Sequence, residues 1–208
     1  MGYHKISGLL LILMATICCN SCGPLLGHPP DDSEPTEIDL YGEVNTITIN
    51  IQGLAKPIIL PTAGNYQQVT IPSTDSIPEH TILTIRGQSQ EGSIRIDIYE
   101  DGKEVEVGGY DGASSLFSLD GLIYYDLQLG DKRYSSLIYG AGAGGTTIYY
   151  DSFFTIANMH AISYQQAENT RKVLSLQGRF NSYLKEDNNE LNEVALIIDG
   201  RINYKANY

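Results

Sequence analysis

Apolar residues alternate with polar ones along most of this chain, and this alternation constrains the fold more than any other feature of the sequence. Ile94, Ile96 and Ile98, for example, share one face of a segment whose intervening residues are charged. Successive side chains of a strand point to opposite faces, so the pattern predicts a half-buried strand. No window of about 12 residues, the usual minimum for a helix, carries a helical stripe. A single helical turn is expected at Gln165–Lys172.

The same pattern predicts about a dozen strands along the chain. Two Asp-Gly dipeptides, at Asp101-Gly102 and Asp199-Gly200, predict hairpin turns, because Asp-Gly suits a turn with positive φ. In the first hairpin, Val105 and Val107 are expected to point inward. The predicted strands are Thr46–Ile51, Gln67–Ile71, Thr81–Gly87, Ser93–Tyr99, Lys103–Val107, Leu122–Leu129, Tyr134–Tyr139, Thr146–Ile156, Ala161–Tyr164, Val173–Tyr183, Val194–Ile198 and Arg201–Tyr204.

Many short strands separated by turn signals predict an all-β fold. The expected architecture is an antiparallel β-sandwich, and the alternative is a calycin-like β-barrel. Residues 38–208 are expected to form a single domain. A first half that ended at the Gly-rich loop 108–115 would be small for an independent core without disulfides.

Residues 1–21 have the features of a secretory signal peptide. Ile6–Ile17 is apolar but shorter than the ~20 residues that cross a bilayer. The segment resembles a bacterial lipoprotein signal in which small Ser21 precedes the lipidated Cys22, although Cys19 stands where Leu is usual. The resemblance implies a lipid at Cys22 and an outer-membrane location, periplasmic or surface-exposed. The alternative is an ordinary secreted protein with a free Cys22.

Residues 22–37 predict an acidic, Pro-rich tether. Its four prolines limit helix and sheet formation, and its like charges favour an extended chain. The net charge of the whole chain is −12, and it becomes −13 when residues 1–21 are removed with Lys5 and no acid. Such a charge argues against the extended basic surface that nucleic-acid binding requires, so no nucleic-acid partner is expected. The same charge would be repelled by an anionic membrane surface, so the expected membrane contact is the lipid at Cys22.

Three segments near the C-terminus predict a meander of strands. They are Ala161–Tyr164, Leu176–Phe180 and Ile198–Tyr204. With the signal, they resemble a family of uncharacterised Gram-negative bacterial lipoproteins that end in a G-x-F strand, an acidic loop and a D/N-G-x-F/I-x-x-Y strand. The resemblance implies an all-β body and an envelope location, and it implies no activity.

Chemical motifs are sparse. Gly140–Gly145 matches G-x-G-x-x-G, but a strand pattern follows it, so a flexible hairpin loop is preferred to a dinucleotide site. The four His residues lack zinc-ligand spacing, and Glu186–Glu190 lacks the spaced acids of a calcium loop. No metal, cofactor or catalytic residue is therefore expected. A carboxylate pair for glycoside hydrolysis stays open as an alternative, because sequence gives no distances across a sheet.

The tetrapeptide Ile-Tyr-Tyr-Asp occurs twice, at Ile123–Asp126 and Ile148–Asp151. Because side chains alternate along a strand, the first Tyr and the Asp of each copy are expected to point away from the apolar face. If the two strands lie close in one sheet, these side chains and Gln128 form one polar, aromatic surface. The candidate ligand-binding residues are Tyr124, Asp126, Gln128, Tyr149 and Asp151.

Tyr offers a flat face with a hydroxyl at its edge, which suits sugars or peptides. The simpler explanation is that Tyr is a favourable strand residue. The sequence thus predicts a lipid-anchored, non-enzymatic protein with a binding or adhesion role toward a glycan or protein partner. The alternatives are a calycin-like carrier of a small apolar ligand and a glycan-processing enzyme.

Overall fold

Antiparallel strands dominate the part of the chain that the structure describes. This computed structural model describes residues 40–75, 78–111, 120–139, 147–149, 152–163, 170–187 and 194–206. The predicted signal peptide, the tether with Cys22 and the Gly140–Gly145 motif lie outside these residues.

Thirteen strands are found in the described ranges, and their bounds follow in chain order. They are β1 (Thr46–Ile51), β2 (Ile58–Pro61), β3 (Gln67–Ile71), β4 (His80–Gln88), β5 (Gly92–Asp101), β6 (Gly108–Tyr110), β7 (Ile123–Leu129), β8 (Lys132–Ser135), β9 (Leu137–Tyr139), β10 (Thr147–Tyr149), β11 (Ser152–Ser163), β12 (Thr170–Glu186) and β13 (Val194–Lys205).

Eleven of these strands form one antiparallel sheet that folds into two layers, and the predicted all-β fold is confirmed. One layer has the order β2-β1-β13-β12-β11-β6, and the other has the order β3-β4-β5-β7-β8. The long β12 belongs to both layers, because residues 170–172 pair with β3 and residues 185–186 pair with β8. The hydrogen-bonded circuit from β12 through β3, β4, β5, β7 and β8 is therefore closed. The two layers of the sandwich are thus joined by hydrogen bonds at both ends of β12, as the strands of a barrel are.

Inward side chains of the two layers meet in one core. Ile47 of β1 and Leu60 of β2 pack over Gly87 of β4. Phe180 of β12 lies against Tyr125 of β7, with ring centroids 5.6 Å apart. Burying one such large side chain stabilises a fold by about 1.5–3 kcal/mol. On the opposite face of β4, β5, β7 and β8, the side chains of Arg86, Arg95, Gln128 and Arg133 are exposed.

The hairpin predicted at Asp101-Gly102 is wrong. β5 already pairs with β4 on one edge and with β7 on the other, so no edge is free for a returning strand. Residues 103–107 run beside β3 instead, where the Gln68 side chain accepts from the Val105 N–H at 2.9 Å and donates to its C=O at 2.7 Å. Val105 is buried as predicted, whereas Val107 is 57% exposed, contrary to the prediction.

The hairpin predicted at Asp199-Gly200 is also wrong, because β13 continues through both residues. Gly200 does not have positive φ, which a two-residue turn of this kind would require. It faces Phe180 on β12, whose ring atoms lie 2.4 Å from where a Cβ would be. This glycine makes room for an aromatic ring and does not reverse the chain.

Other strand predictions differ from the structure at their ends. The predicted Tyr134–Tyr139 strand is divided between β8 and β9, and Thr146–Ile156 is divided between β10 and β11. Residues 170–172 of the predicted helical turn are strand residues of β12, β2 was not predicted, and β6 lies where a Gly-rich loop was expected. The C-terminal meander is present, since β11, β12 and β13 are sequential antiparallel neighbours.

Candidate functional site

The outward face of β7 presents the first half of the predicted surface. Ile123, Tyr125 and Leu127 are buried in the core, as strand phase predicted. Tyr124 is half-buried on the opposite face, together with Asp126, and Gln128 is exposed there. The three described candidate side chains therefore share one face of one strand.

The neighbours of β7 bring arginines to this face. Arg95 of β5 lies directly opposite Asp126, and Arg133 of β8 lies directly opposite Gln128. Arg86 of β4 lies opposite Arg95 on the next ladder. Sequence reasoning missed this convergence because it depends on pairing and register. The available signal was strand phase, which already placed Arg95 on a polar face.

Asp126 and Arg133 form a two-pronged ion pair. Nε of Arg133 is 2.9 Å from Oδ1 of Asp126, and Nη2 is 2.6 Å from Oδ2. Asp187 approaches the same guanidinium at 3.6 Å. The hydrogen bonds with Asp126 raise the pKa of Arg133. Burial, and then the charge of Asp126, raises the pKa of Tyr124, so its hydroxyl is uncharged at neutral pH.

A buried carboxylate holds the second arginine. Asp97 of β5 is 1% exposed, and its Oδ2 accepts from Nη2 of Arg95 at 2.8 Å. Its Oδ1 accepts from the Thr84 hydroxyl at 2.6 Å. The hydrogen bond with Asp97 is the main cause that raises the pKa of Arg95. Arg95 is thus held by a buried carboxylate of its own strand, while its side chain stays 47% exposed.

The third arginine differs from the other two. Arg86 is exposed, and its guanidinium has no hydrogen-bond or ion-pair partner among the described residues. It sits directly across from Arg95, and like charges in that position destabilise a sheet. The backbone of Arg86, in contrast, is hydrogen-bonded: its C=O accepts from the Tyr66 hydroxyl at 2.8 Å and from the Ala63 N–H at 2.8 Å.

These side chains line an open groove of about 360 Å³ on the outer face of the β4-β5-β7-β8 layer. The arrangement offers guanidinium donors beside amide and hydroxyl groups, and this combination suits a polar ligand. The residues that line it are Ala63, Arg86, Gly87, Gln88, Ser93, Ile94, Arg95, Asp126, Gln128 and Arg133.

The second half of the predicted surface is not joined to the first by strand pairing. β7 pairs with β5 and β8, while β10, which contains Tyr149, pairs with β9 in a separate two-stranded ladder. The Tyr149 side chain and Asp151 lie outside the described residues. Their membership of the surface stays a prediction.

A second groove, of about 320 Å³, lies on the outer face of the other layer. Phe153 and Ile198 are its exposed apolar residues, at 44% and 56%. Asp199 beside them accepts from Arg179 at 2.9 Å and from Arg201 at 2.8 Å. Burial alone would raise the pKa of Asp199, but these two arginines lower it overall.

One pair of carboxyl groups, Glu100 and Asp120, lies beside the same lysine. Burial, and then a hydrogen bond with Asp120, raises the pKa of Glu100 to about 7. The same hydrogen bond, followed by one from Lys103, lowers the pKa of Asp120. Glycosidases hold their two carboxyl groups about 5–10 Å apart. Glu100 and Asp120 both bind Nζ of Lys103, at 3.1 and 3.0 Å, so this pair lacks the space that the reaction needs.

Within the described ranges, no group of three or more His, Cys, Asp or Glu is placed to hold a metal ion. In the same residues, no helix has the length and apolar character to cross a membrane. No family model matches the chain, and searches of curated proteins and of solved structures found no significant match.

Proposed function

We propose that this chain is a lipid-anchored protein of the bacterial outer membrane that binds a glycan in the β4-β5-β7-β8 groove and has no catalytic role. The anchor is supported by the signal-like residues 1–21 and by Ser21-Cys22. Two or three acyl chains would hold the protein firmly, at about 0.8 kcal/mol per buried CH₂.

The binding role is supported above all by the groove itself. A rigid sheet face carries fixed guanidinium groups beside the amide of Gln128, and Tyr124 lies next to them. Sugars present hydroxyl groups that such donors and acceptors can recognise. Because the side chains stand on paired strands, they are positioned before a ligand arrives, which lowers the entropic cost of binding.

Lipid attachment has a direct test. Mass spectrometry of the protein isolated from bacterial membranes should show a chain that starts at Cys22 and carries acyl groups, and Cys22→Ala should move the protein out of the membrane fraction. A mature chain with an unmodified Cys22 thiol would refute the anchor.

The binding role is tested with the mature lipidated protein in detergent, applied to an array of neutral and acidic glycans. We expect Gln128→Ala to reduce the signal for the bound glycans at least threefold, because Gln128 is exposed and lines the groove. The matched control is Asn181→Ala, an exposed amide in the groove of the opposite layer.

Two results would contradict the assignment. Loss of binding in Asn181→Ala with full binding in Gln128→Ala would move the site to the opposite layer. The absence of a signal for every glycan on the array would refute glycan binding.

A further inference from the structure

The β4-β5-β7-β8 groove concentrates arginines on an acidic protein. The whole chain has six arginines and a net charge of −12, yet three of the six line this groove. Asp97 and Asp126 form ion pairs with Arg95 and Arg133, and Asp187 lies 3.6 Å from Arg133. Arg86 is the arginine of the lining that no described carboxylate contacts, so an anion that enters the groove meets one guanidinium whose charge is not neutralised.

Arg86 faces a like charge across the β4-β5 pair. It lies across from Arg95, where like charges repel, and its guanidinium lacks a partner in the described part of the chain. Its side chain does not contribute an ion pair or a hydrogen bond to the stability of the fold there. A carboxylate between Arg86 and Arg95 would turn this repulsion into two attractive contacts.

Of the two paired arginines, Arg95 also keeps donors for a ligand. A guanidinium has five N–H donors. Asp97 contacts Nη2 of Arg95, so its Nη1 is outside this contact. Arg133 is engaged further, by Asp126, Asp187 and the Tyr124 hydroxyl. The buried Asp97 therefore fixes Arg95 without occupying all its donors.

The remaining lining residues indicate what kind of anion fits. A guanidinium matches the planar, two-oxygen geometry of a carboxylate. Gln88, Ser93 and Gln128 line the same groove and can bind hydroxyl groups. The volume of about 360 Å³ lies at the small end of ligand sites, and because the groove is open it suits one or two rings of a longer sugar chain.

We propose that the groove binds acidic sugars of the hexuronate class, with the sugar carboxylate between Arg86 and Arg95 and the ring hydroxyls on Gln88, Ser93 and Gln128. This inference rests on the proposed function and specifies its ligand.

The test is isothermal titration of the mature lipidated protein in detergent with trigalacturonate, with its methyl ester, and with acetate and inorganic phosphate. We expect trigalacturonate to bind at least tenfold more tightly than the ester. Added salt should weaken trigalacturonate binding, because the arginines are exposed and their charges are screened. Arg86→Gln should reduce the affinity for trigalacturonate at least tenfold and raise the melting temperature. Lys56→Gln, which removes an exposed charge outside the groove, should change neither the affinity nor the melting temperature.

Equal affinity for the acid and its methyl ester would overturn the inference, as would unchanged binding in Arg86→Gln. Acetate or phosphate that binds as tightly as trigalacturonate would also overturn it, since the site would then recognise a charge and not a sugar. If neutral glycans bind through Gln128 while trigalacturonate does not, the inference fails and the proposed function stands. If no glycan binds, both fail.

Discussion

Gly200→Ala should lower the stability of the protein by about 3 kcal/mol, the upper end for overpacking a core. The added Cβ would lie 2.4 Å from two ring atoms of Phe180, and that ring is buried against Tyr125 and Phe154. Neither the continuous strand nor the packed ring can move without disturbing the core between the layers. For a protein of this size, the melting temperature should fall by about 10 °C.

Gly108→Ala is the matched control, because a Cβ at Gly108 meets no atom within 4 Å. Thermal melts monitored by circular dichroism should show little change for this variant. The double variant Gly200→Ala, Phe180→Leu should lose less than the sum of its single variants, since the smaller side chain relieves the clash. Additive losses would show that the cause is not the contact with Phe180.

Gln68→Leu should lower the free energy of unfolding by about 2–4 kcal/mol. Gln68 is 1% exposed, and its amide pairs with both backbone groups of Val105 in the way that a neighbouring strand would. Leucine fills similar space but leaves a buried N–H and a buried C=O without partners, and each such group costs about 1–3 kcal/mol. Urea denaturation should show the loss as a lower midpoint.

Gln67→Leu is the control for this experiment, because Gln67 is the exposed neighbour on the same strand. Its free energy of unfolding should stay within about 0.5 kcal/mol of that of the original protein. Hydrogen exchange should also show faster exchange of the Val105 amide in Gln68→Leu. Unchanged protection of that amide would refute the role assigned to the Gln68 side chain.

Strand phase could be predicted from the sequence because it depends on local alternation. Ile94, Ile96 and Ile98 are buried as expected, and so are Ile123 and Tyr125. Pairing could not be predicted, because it depends on which edges other strands already occupy. The Asp-Gly signal at residues 101–102 therefore predicted a hairpin where β5 has no free edge.

The candidate site was predicted only in part, for the same physical reason. Tyr124, Asp126 and Gln128 lie on one strand, so alternation was enough to orient them. Arg86 and Arg133 come from strands on either side of the β5-β7 pair, and only the register brings them to one groove. The residues that line a groove formed from four strands are not contiguous in the sequence, so no local pattern predicts it.

The pairing of the first described strand with the last has a consequence for how the chain folds. β1 pairs with β13, and Asn50 donates to Asp199 across 149 positions of sequence. Contacts between residues so distant in sequence slow folding, because the long intervening loop must close before they form. One edge of β1 pairs with nearby β2, but its other edge has no partner until β13 has been synthesised, so the native sheet is completed only after translation has reached β13.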